Sequence, residues 1–383
     1  MEILHIIPVG GTYIIPLADL LQSCDKENNH VFMVTTTMKA VIKNNAELLK
    51  IRGLQFKPGF KKRSLFRDFK YLSDCAKKAD RIVWHSFRTN DGYCPFILYL
   101  NRKLLKKSTW IAGEGELGNY TSVPNKLLNR YTKKVNDYVQ HNISCIGIDF
   151  PTDKEKIKEL GFTHPKVRTL TYPYSVAEKN MLQRCMNAKS TDLPKKTPIM
   201  QIGMSSQRIN RHIRLVSVLG NISWRDNCYL SLNFCSALAG TRFAAGTKVN
   251  KDMVKDSVEK MNGRMLVKDK VLSEDQYFKA LQCVDMVMLA NKESCQMRTL
   301  LCLLAMKKRI FAPGDSPLYE NLNKMGANIH LHVKLIRSKS LADIAKLSGS
   351  NLPKRLVDYY SDTEILKRWI KWSKTDYERG NSK

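Results

Sequence analysis

The chain has 383 residues, of which 43% are hydrophobic, so it is long enough for two domains and too apolar to be disordered throughout. Lys and Arg number 64 against 35 Asp and Glu, and the net charge of +29 favours anionic partners such as nucleic acid, anionic lipid or phosphorylated substrates. The 10 cysteines form no CxxC pair and no zinc-ligand spacing, so we expect reduced thiols, without disulfides or structural zinc.

The amino-terminal segment reads as an apolar strand followed by a glycine turn, and it has no basic region typical of a signal peptide. No run of about 18 uncharged apolar residues occurs in the sequence. We therefore expect a cytoplasmic protein whose contact with a membrane is peripheral.

Short apolar runs alternate with helical patterns through the first half of the chain. Apolar runs of this length, alternating with helices, predict parallel strands that are covered on both faces. Right-handed crossovers then place every loop that follows a strand along one edge of the sheet. The predicted strands are Ile3–Pro8, Val31–Thr35, Leu54–Phe56, Arg81–Trp84, Thr109–Ala112 and Ile143–Ile148, and the predicted helices include Leu17–Cys24, Leu65–Lys78 and Lys126–Val139.

A polar stretch over Ser175–Pro198 interrupts the alternation, which then restarts, and the tail from Asp343 predicts two amphipathic helices. We therefore expect an α/β protein with two doubly wound, Rossmann-like domains that face a central cleft. The expected parts are a first domain over 1–175, a connection over 176–197, a second domain over 198–345, and C-terminal helices over 346–383 that could pack back on the first domain. Strands of the second half are predicted at Ile199–Gly203, Cys228–Leu232, Val284–Ala290, Ile310–Ala312 and Asn328–Leu331, with a helix over Lys251–Met261.

The polar loop Asn291–Arg298 follows a predicted strand and precedes a helix start, an arrangement that favours binding of a diphosphate. Thr299, at the helix start, would offer its hydroxyl and free N–H groups to phosphate, and Glu293 could accept hydrogen bonds from sugar hydroxyls. Tyr277 lies in the preceding helix and is a further candidate for donor contact. The alternative is that Thr299 only caps its helix, Glu293 is solvated and Tyr277 belongs to the core.

A second candidate is the segment 203–213, which follows the first strand of the second half. Small and hydroxyl residues there would let the backbone approach a bound phosphate closely, although an ordinary turn with a serine cap would look the same. The candidate donor-binding residues of this segment are Gly203, Ser205, Ser206, Arg208, Asn210 and His212.

Two strand ends of the first half carry candidates for the catalytic base. His85 lies at the carboxyl end of the strand Arg81–Trp84, directly after it, and Glu114 and Glu116 lie in a glycine-rich turn after the next strand. A carboxylate or an imidazole at such an edge can accept the proton of an attacking hydroxyl. Glu116 is the preferred base and His85 the second choice; a core histidine and solvated turn residues are the alternative.

The segments Phe56–Lys70 and Leu366–Lys374 combine basic and aromatic residues, as a surface for anionic lipid would. For the second segment, a charged helix that packs its Trp residues inward is the alternative. The sequence has no P-loop, no HExxH motif and no Asp-x-Asp pair, so we expect neither a metal nor a separate cofactor. Helix N-termini and basic side chains would then stabilise a leaving diphosphate.

Several of these motifs resemble glycosyltransferase family 56, which is typified by the 4-acetamido-4,6-dideoxygalactose transferase of enterobacterial common antigen synthesis. The similarity is clearest from about His164 to Tyr319 and looser in the first half. The loop before Thr299 lacks the glycines of the family, and Glu114 and Glu116 stand where a single Asp is expected. The similar segments are Gly203–Ile213, His164–Arg168, Tyr172–Tyr174, Thr299–Leu304, Pro317–Tyr319, Trp84–His85 and Trp110–Leu117.

The resemblance implies a GT-B fold and a nucleotide-diphosphate sugar bound mainly by the second domain. It also implies a polyprenyl-pyrophosphate-linked saccharide as acceptor at the inner face of the bacterial inner membrane. The interpretation is a metal-independent glycosyltransferase of bacterial surface-polysaccharide (O-antigen or common antigen) synthesis, which moves a deoxy or deoxyamino sugar and binds an anionic membrane surface but no nucleic acid. The alternatives are a basic nucleic-acid-binding protein and an α/β enzyme resembling sugar-nucleotide epimerases.

Overall fold

The computed structural model describes residues 1–8, 11–57, 65–87, 94–112, 126–163, 165–188, 197–204, 211–222, 224–233, 251–260, 264–268, 272–290 and 296–375. The chain forms two compact units. Unit 1 comprises Met1–Ser175 and Asp358–Lys383, and unit 2 comprises Val176–Val357.

The sheet of unit 1 has seven parallel strands in the order β3-β2-β1-β4-β5-β6-β7. The chain builds the sheet outwards from β1 in one direction and then restarts beside β1 with β4, so the topological switch point lies between these two strands. The strands are β1 (Glu2–Ile7), β2 (Asn29–Val34), β3 (Gln55–Phe56), β4 (Arg81–Trp84), β5 (Ser108–Ile111), β6 (Cys145–Ile148) and β7 (Lys166–Thr169).

The sheet of unit 2 has six parallel strands in the order β10-β9-β8-β11-β12-β13. Its switch point lies between β8 and β11. The strands are β8 (Ile199–Ile202), β9 (Tyr229–Asn233), β10 (Arg264–Lys268), β11 (Met286–Met288), β12 (Arg309–Ala312) and β13 (His330–Leu331). Two doubly wound parallel sheets confirm the predicted α/β fold class.

Helices connect most of these strands. Short 3-10 segments occur at Thr12–Ile14, Ala46–Lys50, Arg102–Lys107 and Arg225–Asn227. In chain order the α-helices are α1 (Ile15–Cys24), α2 (Met38–Asn45), α3 (Leu65–Lys78), α4 (Cys94–Leu100), α5 (Lys126–Asn142), α6 (Asp153–Glu159), α7 (Val176–Met186), α8 (His212–Leu219), α9 (Lys251–Glu259), α10 (Glu274–Cys283), α11 (Met297–Ala305), α12 (Pro317–Lys324), α13 (His332–Arg337), α14 (Leu341–Ala345), α15 (Lys354–Tyr359) and α16 (Asp362–Thr375).

Strand β1 shows why unit 1 needs helices on both sides of its sheet. Its side chains alternate between two apolar clusters: Leu4 and Ile6 belong to one, and Ile3 and Ile7 to the other. Because successive side chains of a strand point to opposite faces, these clusters cover the two faces of the sheet. A strand buried on both faces is apolar along most of its length, which is the pattern that predicted it.

The C-terminal helix α16 completes the second of these clusters, since Ile365, Trp369 and Trp372 belong to it. The indole N–H of Trp369 donates to the carbonyl oxygen of Thr171 at 3.0 Å, and that of Trp372 donates to Oγ1 of Thr109 at 3.2 Å. Both Trp side chains are buried. The inward-packing alternative therefore describes this tail, and its two indoles are not lipid contacts.

Helix α7 packs within unit 2, although its sequence predicted part of a connection. Its residues Met181 and Cys185 are buried. The guanidinium group of Arg184 forms an ion pair with the carboxylate of Asp275 at 2.8 Å, and its central carbon lies 4.4 Å from the ring centroid of Phe278. Asp275 and Phe278 both belong to α10. Helix α7 is thereby fixed against α10 and also contacts α11, the helix that carries Thr299.

Candidate functional site

The carboxyl ends of β8 and β11 lie side by side at the switch point of unit 2, because these strands are neighbours in the sheet. The backbone N–H of Gly203, which follows β8, donates to the carbonyl oxygen of Met288 at the end of β11, at 2.9 Å. Gly203 has φ of 67°, a left-handed conformation that side chains disfavour. In open α/β sheets such a crevice is where ligands bind.

Along the chain, each of these two strands is followed by a helix. Arg211 precedes α8 and Gln296 precedes α11, and both adopt left-handed backbone angles, with φ of 46° and 47°. The first N–H groups of any α-helix lack acceptors within the helix, so each start can donate to an anion. The described ends of the two motifs, Gly203 with Arg211 and Gln296 with Thr299, thus follow two neighbouring strands of the sheet.

His212 is the first residue of α8 and is buried. Burial lowers the pKa of His212 to about 4, because desolvation penalises the charged ring. The imidazole is therefore neutral at pH 7. It can act at this helix start through hydrogen bonds but not through positive charge.

Thr299 lies in the first turn of α11, and its Oγ1 is 2.6 Å from the hydroxyl oxygen of Tyr277 on α10. Burial raises the pKa of Tyr277 to about 12, so the phenol stays protonated. Two candidate donor-binding residues are thus joined by a short hydrogen bond. Both side chains are half-buried, which places them at the boundary of the core.

Arg298, beside Thr299 in the first turn of α11, forms an ion pair with Glu178 of α7. Each of the two side chains is about two-thirds buried, with exposed fractions of 35% and 31%. The pair fixes the start of α11 against α7. Helix α7 therefore helps to position the turn that carries Thr299.

His85 lies at the switch point of unit 1, directly after β4. Its backbone N–H donates to the carbonyl oxygen of Ile6 at 3.0 Å, and its side chain is fully buried. Nε2 lies 2.9 Å from Nδ1 of His5, and Nδ1 lies 2.8 Å from the hydroxyl oxygen of Tyr172. Burial lowers the pKa of His85 to about 3. Both ring nitrogens of His85 are therefore engaged, one with His5 and the other with Tyr172.

The remaining predicted site residues lie outside the described part of the chain. They are Glu114 and Glu116 of the glycine-rich turn, Ser205, Ser206, Arg208 and Asn210 after β8, and Glu293 after β11. Their roles stay predictions from the sequence.

Sequence reasoning overlooked three buried polar residues near His85, namely His5, His30 and Asp25. The signal was present: His5 and His30 interrupt otherwise apolar strands at positions that point into the core. Among the described residues, no group of three or more His, Cys, Asp or Glu side chains is arranged to hold a metal ion. No helix in the described ranges is long and apolar enough to cross a bilayer.

Neither protein-family profiles nor curated protein sequences match the chain. Solved structures do. A glycosyltransferase from Rickettsia africae has 14% sequence identity and a TM-score of 0.55, with 100% of this chain and 99% of that one covered. HepE from Anabaena, in complex with UDP and glucose, has 10% identity and a TM-score of 0.58, with coverage of 97% and 99%.

Sucrose-phosphate synthase from Thermosynechococcus elongatus also has 10% identity and a TM-score of 0.58, with 99% of this chain and 100% of that one covered. At such low identities the similarity establishes the fold. Because the alignments span nearly the whole length of each chain, the shared fold includes both units. The chain therefore has the GT-B type of α/β fold, with two Rossmann-like domains.

Proposed function

We propose that the protein is a glycosyltransferase that takes a sugar from a nucleoside-diphosphate donor and holds the diphosphate at the start of α11. The observation that carries the proposal is a hydrogen bond of Thr299 with Tyr277 of α10. Thr299 lies in the first turn of α11, the helix that follows a strand of the switch point of unit 2. The same fold in HepE occurs in complexes with UDP and with UDP-glucose, which supports a donor of this class.

Either hydroxyl can be the donor in that hydrogen bond, and donation from Tyr277 to Thr299 suits a phosphate ligand. A phosphate oxygen only accepts hydrogen bonds at neutral pH, so a hydroxyl that binds it must donate its own proton. Tyr277 remains protonated and can donate to Thr299, whose proton then points to the phosphate oxygen. The helix start adds N–H groups and the positive end of its dipole, so the leaving diphosphate can be stabilised without a metal ion.

The proposed acceptor is a polyprenyl-pyrophosphate-linked saccharide at the inner face of the bacterial inner membrane, as in glycosyltransferase family 56. The resemblance of Gly203–Ile213 and Thr299–Leu304 to that family supports this choice. The net charge of +29 supports binding to an anionic membrane surface and to an acceptor with a pyrophosphate group. Glu116 and Glu114 remain candidate bases for the acceptor hydroxyl.

Replacing Thr299 with alanine is expected to weaken binding of a nucleoside diphosphate by about 10- to 100-fold, the loss of one hydrogen bond to a charged group. Titration calorimetry with UDP, dTDP and GDP measures the effect on whichever nucleotide binds the unaltered chain. Thr299→Ser should retain most of the affinity because it keeps the hydroxyl.

Ser340→Ala is the matched control. Ser340 caps α14 by accepting from the backbone N–H of Asp343, at 3.3 Å, so this change also removes a hydroxyl at a helix start of unit 2. Helix α14 does not follow a strand of the switch point, and nucleotide affinity should not change. Equal affinities of Thr299→Ala and the unaltered chain would remove Thr299 from the site. Salt-sensitive binding of DNA or RNA without any nucleotide affinity would instead favour a nucleic-acid-binding protein.

A further inference from the structure

A continuous row of hydrogen bonds crosses the interior of unit 1. The carboxylate of Asp25 lies 2.9 Å from Nε2 of His30, and Nδ1 of His30 lies 2.9 Å from Nε2 of His5. Nδ1 of His5 lies 2.9 Å from Nε2 of His85, whose Nδ1 lies 2.8 Å from the hydroxyl oxygen of Tyr172. We call these five residues the histidine row.

The histidine row runs diagonally across three neighbouring strands of the sheet. Asp25 precedes β2, and His30 is the second residue of that strand. His5 lies in the middle of β1, and His85 follows the end of β4. Tyr172 comes three residues after the end of β7. In a parallel sheet the row therefore leads from the amino edge to the carboxyl edge, which is the edge where ligands bind.

The chemistry of the five groups gives the row one direction. An ionised carboxylate only accepts hydrogen bonds, so Nε2 of His30 must donate to Asp25. A neutral imidazole has one donor and one acceptor nitrogen, so Nδ1 of His30 accepts from His5, and Nδ1 of His5 accepts from His85. Nδ1 of His85 then accepts from the hydroxyl of Tyr172. We assign these tautomers from the hydrogen-bond pattern.

The surroundings of the row keep its histidines neutral. His5 and His85 are fully buried; Phe32 stacks on His5 with ring centroids 4.4 Å apart, and the Trp369 ring lies 6.1 Å from that of His85. Burial lowers the pKa of His5 and of His85, with the neighbouring histidines adding to the effect at His5.

The acidic end of the row is held in its charged form. Burial alone would raise the pKa of Asp25, but hydrogen bonds from His30, from Asn28 at 2.8 Å and from the backbone N–H of Glu27 at 3.1 Å lower it. Other charged groups nearby are the N-terminal ammonium, which acts on His30, and the exposed pair of Glu27 with Lys374 of α16.

We propose that Tyr172 accepts the proton of the acceptor hydroxyl. One proton is then transferred along the histidine row from Tyr172 to Asp25. The proposal rests on the proposed transferase function. The acceptor O–H bond breaks as its oxygen bonds to the anomeric carbon of the sugar, and the diphosphate leaves with the electron pair of the broken sugar–phosphate bond. The acceptor proton binds the Tyr172 oxygen.

The transfers along the row then balance. Tyr172 gives its own proton to Nδ1 of His85, whose Nε2 proton moves to Nδ1 of His5. The Nε2 proton of His5 moves to Nδ1 of His30, and the Nε2 proton of His30 moves to Asp25. The row ends with a neutral carboxylic acid and three histidines in the opposite tautomer. After the products leave, the reverse transfers return one proton to water at Tyr172.

This assignment gives His85 its place in the reaction. Tyr172, in place of the sequence-based candidates Glu116 and Glu114, is the catalytic residue, since it would touch the acceptor. His85, His5, His30 and Asp25 are positioning residues that act through it. The hydroxyl of Tyr13 donates to the backbone carbonyl of His85 at 3.1 Å, and its ring meets that of Tyr172 edge-on, with centroids 4.9 Å apart. Tyr13 thus fixes both residues at the end of the row.

Two isosteric variants of the full chain test the proposal. Tyr172→Phe removes the hydroxyl, and Asp25→Asn removes the charge at the other end. Asp19→Asn is the matched control, because Asp19 is exposed on α1 and outside the row. Thermal unfolding shows which variants are folded. The probes are UDP-glucose, dTDP-glucose and GDP-mannose, with nucleoside-diphosphate release as the measure of turnover and calorimetry as the measure of binding.

Tyr172→Phe and Asp25→Asn should bind the nucleotide as the unaltered chain does and lose at least about 100-fold in kcat, the scale of general-base catalysis. Asp19→Asn should retain kcat. Nitrogen-15 NMR at pH 7 should show the Nε2–H tautomer for His5, His30 and His85, as the direction of the row requires. The loss of kcat at unchanged nucleotide affinity is the result that a merely structural role does not give.

Three results would contradict the proposal in distinguishable ways. Undiminished kcat in Tyr172→Phe, with nucleotide still bound, overturns the role of Tyr172 and leaves the transferase function intact. An Nδ1–H tautomer or a charged ring at any of the three histidines overturns the direction of the row. Absence of nucleotide binding by the unaltered chain overturns the transferase function, and the proposal falls with it.

Discussion

Trp369→Ala is expected to lower the free energy of unfolding of unit 1 by about 3–5 kcal/mol, the range measured for truncating a buried tryptophan. The Trp369 side chain is 1% exposed. The change would leave a cavity beside His5 and His85, whose rings lie 5.8 and 6.1 Å from the indole. It would also leave the carbonyl oxygen of Thr171 without the indole N–H that donates to it at 3.0 Å.

Denaturant titration, followed by circular dichroism, measures this loss. Lys371→Ala, on the exposed side of the same helix, is the control and should change stability by less than about 0.5 kcal/mol. Trp369→Phe should fall between the two, since it keeps an aromatic ring but not the N–H. A loss below about 1 kcal/mol for Trp369→Ala would show that α16 does not complete the core of unit 1.

The second large effect is acid sensitivity. In the unfolded chain His5 and His85 have pKa values near 6.5, whereas burial holds both well below that value in the folded protein. Unfolding below pH 6.5 therefore takes up protons, so the stabilisation is complete above that pH and is lost as the pH falls towards the folded pKa values. Each histidine contributes up to about 1.4 kcal/mol per pH unit, and the two together about 3 kcal/mol per pH unit.

Denaturant unfolding at a series of pH values between about 6 and about 4 measures this slope, to which His30 and His212 add because burial lowers their pKa values as well. Asp25 contributes little in that window, because its lowered folded pKa lies below 3.8 and its stabilisation is lost only at lower pH. His85→Gln removes one titrating group and should reduce the slope by about 1.4 kcal/mol per pH unit, whatever it does to stability at pH 7. A free energy of unfolding that stays constant from pH 6.5 to pH 5 would mean that these histidines are not neutral in the folded protein.

The parallel strands of both sheets were predictable because burial on two faces demands apolar runs, as in Ile3–Pro8 and Val284–Ala290. Two strands were missed. β7 (Lys166–Thr169) is half-buried along its whole length, and residues 264–267 of β10 alternate between exposed and half-buried. Both lie at edges of their sheets, where one side of a strand has no neighbour and less apolar cover is needed.

The position of His85 after a strand was readable from the sequence, but its partners were not. Its partners His5 and Tyr172 are separated from it by 80 and 87 residues and meet it only through the strand order. His30, 55 residues away, is linked to it through His5. Thr299 and Tyr277 are closer in sequence, yet their hydrogen bond depends on how α10 packs against α11. Helix starts and strand ends follow local rules, whereas side-chain networks depend on the topology that brings distant strands together.

The most direct test of the account is a crystal structure of the protein with UDP or another nucleoside diphosphate that it binds. We expect a phosphate oxygen within about 3 Å of Thr299 Oγ1, at the first turn of α11 and beside Gly203. A nucleotide bound elsewhere, or a first turn of α11 filled by side chains of the protein itself, would contradict the account.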